Sequence, residues 1–499
     1  MVATIAVLKG GSNGAAAYFT KTGGYYEVEK NGQWFGLGTE QLGLSGEVSR
    51  KDFEMLLAGH SPDGQRLSRK IPSQEKANDA KAEAASKKKR AARVPGYDVC
   101  FSAPKSVSLM WAVGSAETRA EIEACMYQAV RKTLSDMESI LPLARRGRNG
   151  KEQIQADLVS AMFLHSTSRD LDPQLHVHSV LANLCYGVDE RWGSVNSRML
   201  HTWTPAMGRV FRCHLGKELI EKLHVELERR LREDGKLESW FEIKGVKNEA
   251  IREFSQRRRA IEKTTPRDQL GDSHARAKAN RKTRRQKDPT ANLPELSKQW
   301  RDRAERYGLG PESIEKLRSR PVARQPLTRE ELEEELKLAI DKVGHEKAHF
   351  RRWNVVSEVC ESLQSRGVDA SEIIPQVFKY LEQSPSVVPL ADSPGYQQYS
   401  SQRNWQEESA LLKDIDELGK TAGAKVSQRR IDKICRRYER DSSKPFSQEQ
   451  ADAVRQLLGD EKSIRIMTGV AGSGKSVTLD AVREGLEKQG YEVLGGALA

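Results

Sequence analysis

Between Asp157 and Asn183 two runs with a two-residue period flank a proline-containing turn, a pattern that fits an antiparallel hairpin. Asp157-Leu-Val-Ser-Ala-Met-Phe-Leu-His165 reads as the first strand and Gln174-Leu-His176-Val-His178-Ser-Val-Leu as the second, with the turn over Asp170 to Gln174. Side chains alternate across a strand, so His176 and His178 face one way and Val177 the other. The return of the chain brings His165 opposite them. Three neutral imidazoles suit a borderline divalent ion and leave coordination positions open. A bare His-x-His equally fits unliganded rings on a half-exposed strand; the third histidine and the flanking Arg169, Asp170 and Asp172 tilt the reading toward a metal.

At 499 residues the chain has room for roughly three domains. A net charge of +12 favours a polyanionic partner. The six cysteines contain no Cys-x-x-Cys, which argues against a disulfide framework and against a thiolate zinc site. No basic leader precedes the first apolar run and no later run is long enough to span a bilayer, so a cytoplasmic location is expected.

Thr4 to Leu8 reads as a strand, and Ala15 to Phe19 starts a helix that stops at Gly23-Gly24. Tyr18, Tyr25 and Tyr26 cluster there; tyrosine is most often structural, but each offers a phenolic nucleophile. A helical pattern runs from Leu42 through Val48 to Leu57 and closes at Gly59. Lys70 to Arg93 is a basic arm or solvated helix. Tyr97 to Ser102 alternates as a strand, and Ala103-Pro-Lys105 opens a helix that Ser102 would cap, making Lys105 and the free amides a phosphate seat. Further helices are expected over Glu117 to Leu141 and Ala206 to Leu223. Basic segments at Arg145 to Lys151 and Arg252 to Lys287 carry phosphate affinity without base readout. From Leu327 to about Lys420 the pattern is helical, clearest over Glu330 to Val343 and Val355 to Leu363, with no catalytic constellation.

Near the end, Lys462 to Thr468 reads as a strand, Gly469-Val-Ala-Gly472-Ser-Gly474-Lys475-Ser476 matches G-x-x-x-x-G-K-[ST], and Val477 to Lys488 reads as a helix. Glycine amides would cradle the phosphates of ATP, Lys475 would reach the β/γ-phosphates and Ser476 would hold Mg2+. Gln450 would supply an adenine contact. No acidic strand end follows, so this nucleotide-binding domain is expected to be a fragment without ATPase or helicase activity.

The first 310 or so residues resemble the relaxase domain of the conjugative relaxase–helicase family (the TrwC/TraI-like, MobF-type group of HUH endonucleases). The resemblance rests on Tyr18 with Tyr25-Tyr26, on Gly43-Leu-Ser-Gly-Glu47, on Asp98-Val-Cys-Phe-Ser-Ala-Pro-Lys105-Ser-Val-Ser108, and on His165-x-x-Ser168-Arg169-x-x-Asp172-Pro-Gln-Leu-His176-x-His178 through to Asn183, followed by the P-loop. It implies an α+β fold: a five-stranded antiparallel sheet with flanking helices, then a helical connector over 311–440 and, over 441–499, the start of a P-loop α/β RecA-like domain. It also implies that His165, His176 and His178 hold a divalent metal, Mg2+ or Mn2+, with Zn2+ or Ni2+ able to stand in for it in structures. Asp98 would orient a metal histidine and assist the tyrosine. Tyr18 would make the first cleavage, and Tyr26, or its neighbour Tyr25, the second transfer. Lys105 and Arg169 would contact DNA.

The activity so implied is nicking of single-stranded DNA at an origin of transfer through a 5′-phosphotyrosine, with a coupling protein and a type IV secretion machinery as partners. Rolling-circle replication initiation or single-strand transposition would use the same chemistry. A different class is an ATP-driven DNA motor with a DNA-binding N-terminus, and a third a non-catalytic single-strand binding module.

Overall fold

The computed structural model describes residues 3–8, 16, 19, 32–67, 94–232, 234–266, 269, 272–283, 292–319, 326–390, 397–440, 445–470 and 472–496. The chain forms two compact units, 1–401 and 402–499. The division falls inside the stretch 311–440, which reads from the sequence as one connector.

The first unit is built on an antiparallel sheet. Its strands are β1 (Ala3–Val7), β2 (Gln33–Phe35), β3 (Gly96–Ser102), β4 (Ala156–Thr167), β5 (Pro173–Gly187) and the two-residue β6 (Trp192–Gly193). Their order is β1-β3-β5-β4-β2, with β6 paired to β5. Thus five strands form the continuous path and a sixth short one adds to it. The two longest strands are central, as the doubly buried alternation of β4 and β5 requires. One face packs on α2 (Lys105–Val113), α3 (Ala116–Ile140) and α4 (Ser197–Leu223), burying Val99, Phe101, Leu164, Leu175, Val177 and Leu181 among their apolar side chains. The other buries Phe19, Trp34, Phe53, Phe163 and Val180 under α1 (Arg50–Ala58).

Several local expectations are corrected. The helix expected from Leu42 begins only at Arg50, because Gly43 and Gly46 take φ of 68° and 70° and break the turn; Ser49 caps the helix instead. Ser102 ends β3 and makes no cap. The amide of Ser106, one of the free donors at the start of α2, gives its hydrogen bond to the carboxylate of Glu242 at 2.8 Å. The helix expected from Ala206 begins at Ser197 and runs through Pro205, whose ring faces solvent.

Residues 326–401 belong to the same unit. Helix α5 (Leu293–Glu305) precedes this stretch, and α6 (Arg329–Glu346), α7 (Arg352–Leu363) and α8 (Ala370–Gln383) lie within it. The core of α6 to α8 includes Val210 and Cys213 from α4. An ionic cluster joins α3, α4 and α8. His214 Nε2 lies 2.8 Å from Asp136 Oδ2, and Asp369, whose side chain also caps α8, receives Lys132 at 3.1 Å and Lys217 at 2.8 Å.

The second unit packs α9 (Gln428–Glu439), α10 (Gln448–Gly459) and α11 (Lys475–Glu487) around Ile431, Val454 and Ala481. The strand expected over Lys462 to Thr468 is not formed: Lys462 makes one isolated bridge to Ala422, and residues 464–470 have no ladder partner among the described residues. A strand is a pairing property, and alternation alone does not supply the neighbour.

Candidate metal centre and P-loop

The register of the hairpin brings the imidazoles together. His165 on β4 lies directly across from His176 on β5, and His178 faces Phe163. Ring centroids are 5.5 Å apart for His165 and His176, 4.8 Å for His165 and His178, and 5.0 Å for His176 and His178. Three imidazoles bound to one tetrahedral ion at metal–nitrogen distances of about 2.1 Å would put their centroids about 5.2 Å apart. The observed rings fit that spacing.

Hydrogen bonds fix the tautomers. His178 Nδ1 meets both oxygens of Asp98, at 2.8 and 2.9 Å, and His176 Nδ1 lies 2.7 Å from the carbonyl of Gln174. A carboxylate and a carbonyl only accept, so both Nδ1 atoms carry hydrogen, and in the neutral rings Nε2 is the nitrogen whose lone pair can meet a cation. Asp98 reaches His178 from the neighbouring strand β3, where Asp98 pairs with Val180 and Cys100 with His178. Asp98 therefore acts through a histidine. His165 is the deepest ring, 5% exposed. Cys100, absent from the sequence-derived set, contributes a sulfur that lies with nitrogens of His176 and His178 inside a 4.8 Å cluster.

The turn beyond the histidines is held from outside the sheet. Leu171 takes φ of 60°, unusual for a branched residue, and its carbonyl accepts a 2.9 Å hydrogen bond from Trp300 Nε1 on α5. The buried Asp172 carboxylate accepts from the backbone and side-chain amides of Gln256, at 2.8 and 2.9 Å, and from Arg303 at 3.5 Å. Ser168 Oγ accepts from the amides of Asp170 and Asp172. Lys105 Nζ donates to the Pro173 carbonyl at 2.8 Å; burial pushes its ammonium down to about 8, against the pull of Asp172 and Glu242. Lys105 thus braces the turn, and with Glu242 on the helix amide the phosphate seat expected here is filled from within. Arg169 is half-buried on the same turn. Gln256, Trp300 and Arg303 carry no sequence signal of this role.

Of the tyrosines, Tyr18, Tyr25 and Tyr26 lie outside the described residues. Phe19, next to Tyr18 in sequence, stacks on Phe163 at 5.4 Å and lies 5.5 Å from the His178 ring. A cleft of about 1610 Å3 lies elsewhere, lined by Lys217, Arg329, Asp369 and Lys379 among others, and contains none of the three histidines. Size alone does not mark the chemistry.

In the second unit, Gly474 takes φ of 81° at the start of α11, a left-handed conformation that favours glycine. Gly472 also takes positive φ, and Ser476 lies in the first turn of the helix. Lys475 Nζ donates to the carbonyls of Gly469 and Val470 at 2.7 and 2.8 Å, folded onto its own loop. Gln450 is engaged at both ends of its amide: Oε1 accepts from the Ser447 amide at 2.8 Å and Nε2 donates to the Ser473 carbonyl at 3.2 Å. It braces the loop in the place where the sequence suggests an adenine contact.

Residues 12–307 match the TrwC relaxase family, and residues 445–499 match an AAA domain. The multifunctional conjugation protein TraI of Escherichia coli is 34% identical over 294 residues, covering 56% of this chain and 15% of TraI. The conjugal transfer protein TraA of Rhizobium radiobacter is 28% identical over 220 residues, covering 42% of this chain and 19% of TraA. Among solved structures, the metal-bound conjugative relaxase TrwC in complex with oriT DNA superposes with a TM-score of 0.50 at 30% identity, over 62% of this chain and 99% of that one. The matched stretch is thus a small part of the curated relatives and nearly all of the solved relaxase.

Proposed function

Because the chain belongs to the TrwC relaxase family, we propose that it nicks one strand of origin-of-transfer DNA by tyrosine transesterification. The observation that carries this reading is the trio of imidazoles with Asp98 behind His178. Tyr18 is the nucleophile: its hydroxyl oxygen attacks the scissile phosphorus, the phenol gives up its proton, and the 3′ oxygen leaves and takes one up. The products are a 5′-phosphotyrosine and a free 3′-hydroxyl. A divalent ion on the three histidines, when bound, neutralises charge on the phosphate as the nucleophile arrives. Neutral imidazoles leave that ion's charge undiminished. Asp98 holds His178 in the required tautomer, and Lys105, Asp172 and Trp300 hold the turn that carries His176. The phosphotyrosine keeps the energy of the broken ester, so Tyr26 or Tyr25 can serve a second transfer without ATP. Basic residues of 145–151 and 252–287, with Arg169, bind the strand in a salt-dependent way.

Finer readings complete the proposal. Mg2+ or Mn2+ is the working ion, and ATP with Mg2+ is the ligand of the P-loop. The relatives' names carry conjugation as the setting; the partners we propose within it are a coupling protein and a type IV secretion machinery, with the cytoplasm as the place of nicking. Among the described residues no helix is long and apolar enough to cross a membrane.

The test is to incubate the protein with supercoiled plasmid carrying its origin and Mg2+ or Mn2+, then to add detergent and protease. A nick whose 5′ end is blocked by peptide, lost with chelator and in Tyr18→Phe, is expected. A nick with an open 5′-phosphate would overturn the transesterase reading, and full nicking by Tyr18→Phe would move the nucleophile to Tyr25 or Tyr26.

A further inference from the structure

Cys100 stands apart from the other five cysteines: it is partly exposed, whereas Cys125, Cys185, Cys213, Cys360 and Cys435 are buried. It pairs with His178 across the β3–β5 ladder, and its sulfur and the nearest nitrogens of His176 and His178 all lie within 4.8 Å of one another. Ions bound tetrahedrally at about 2.3 Å to sulfur and 2.0–2.1 Å to nitrogen bring such donors to roughly 3.5 Å apart. The donors thus stand within about 1.3 Å of that spacing. The Nδ1 atoms of both histidines are committed to the Gln174 carbonyl and the Asp98 carboxylate, so a cation would be taken by the Nε2 atoms.

We infer that Cys100, His176 and His178 form a second, soft coordination mode of this centre, which takes thiophilic ions such as Cd2+, Zn2+ or Cu+. Coordination forms an S–metal bond, breaks the S–H bond and releases the proton to solvent. Hard ions such as Mg2+ gain nothing from the sulfur, because they prefer oxygen donors. The two modes share His176 and His178, so they exclude one another. A thiophilic ion is therefore held away from the three-imidazole arrangement and stops the nicking reaction. This inference rests on the metal-centre reading above and adds to it a selectivity that the histidines alone would not have.

The experiment titrates the full chain with Cd2+ and follows the ultraviolet sulfur-to-metal charge-transfer band, with Mn2+ affinity measured in parallel by calorimetry. A band saturating at one equivalent is expected in the wild type. Cys100→Ser and Cys100→Ala should abolish it and lower Cd2+ affinity at least about tenfold more than Mn2+ affinity. His176→Ala should weaken the band as well. A band unchanged in both Cys100 variants, or a wild type that binds Mn2+ but gives no band, would overturn the inference. If Cd2+ gives the band while Mn2+ does not bind, the soft site stands and the three-imidazole reading falls. Thermal unfolding of the variants without metal separates a lost donor from a lost fold.

Discussion

Replacing Asp98 by asparagine keeps the shape of the side chain and removes its charge. Both carboxylate oxygens now lie 2.8–2.9 Å from His178 Nδ1, so an amide must present its NH2 group at one of those positions. Oriented one way, the introduced amide accepts a neutral hydrogen bond roughly half as strong as the charge-assisted one. Oriented the other way, it donates to Nδ1, moves the ring proton to Nε2 and removes the lone pair a cation needs. Loss of such a partner behind a metal histidine costs about 10–100-fold in metal affinity, or about 1.4–2.7 kcal/mol. Calorimetric titration of wild type and Asp98→Asn with Mn2+ reads this directly, and nicking at subsaturating metal should fall in proportion. Equal Mn2+ affinity in the two proteins, with the variant folded, would refute the assignment of Asp98 as the group that sets the His178 tautomer.

Further outcomes follow from the surrounding structure. Trp300→Phe keeps much of the packing and leaves the Leu171 carbonyl unpaired, so it should lower stability by about 1–3 kcal/mol in urea unfolding and weaken Mn2+ binding; Trp300→Ala should cost about 3–5 kcal/mol. Unchanged Mn2+ affinity in Trp300→Phe would show that the hairpin turn does not position the histidines. The cluster joining α3, α4 and α8 should make stability depend on pH. Burial alone would lower the His214 pKa, but Asp136 and Asp369 outweigh it and raise the net value, with Lys132, Lys217 and Glu218 close by. A raised folded value means a contribution complete below about 6.5, the ordinary histidine value, and lost as pH climbs through the folded one. Asp369 runs the other way: His214 foremost, then Lys217 and Lys132, overcome its burial and hold it well below the usual carboxylate range, so its contribution is present above about 3.9 and lost as pH falls through the depressed value. Denaturant midpoints should therefore decline as pH rises above about 6.5 in the wild type and flatten in His214→Gln; an identical slope in both would remove His214 from the cluster's role.

The parts governed by short-range periodicity are legible in the sequence. The alternation of residues 157–165 and 174–183 around a proline turn specifies the hairpin, and with it the meeting of His165 and His176. The long helix over 116–140 is equally plain from its amphipathic stripe. What stays hidden depends on register and on remote partners. Asp98 meets His178 diagonally across two strands, and Cys100 joins the same face, relations set by pairing and not by spacing. Trp300, Gln256 and Arg303 reach the turn from more than 80 residues away, through one buried carbonyl and one buried carboxylate. The place of α6 to α8 beside α4 follows from burial of Val210 and Cys213, which in sequence are two more apolar residues on a helix. Ser102 reads as a cap because the competing Glu242 comes from a distant strand.

The central claim, that a tyrosine working with three imidazoles severs a DNA strand and keeps hold of it, is tested most directly by mass spectrometry of the adduct. Origin DNA is nicked with Mn2+ and the complex is trapped in detergent, then digested with trypsin and nuclease. A nucleotide attached through its 5′-phosphate to the peptide bearing Tyr18, absent when chelator is present or when His176 and His178 are replaced by alanine, is the expected result. A nicked strand with no peptide attached, or an adduct that forms equally well without those histidines, would contradict it.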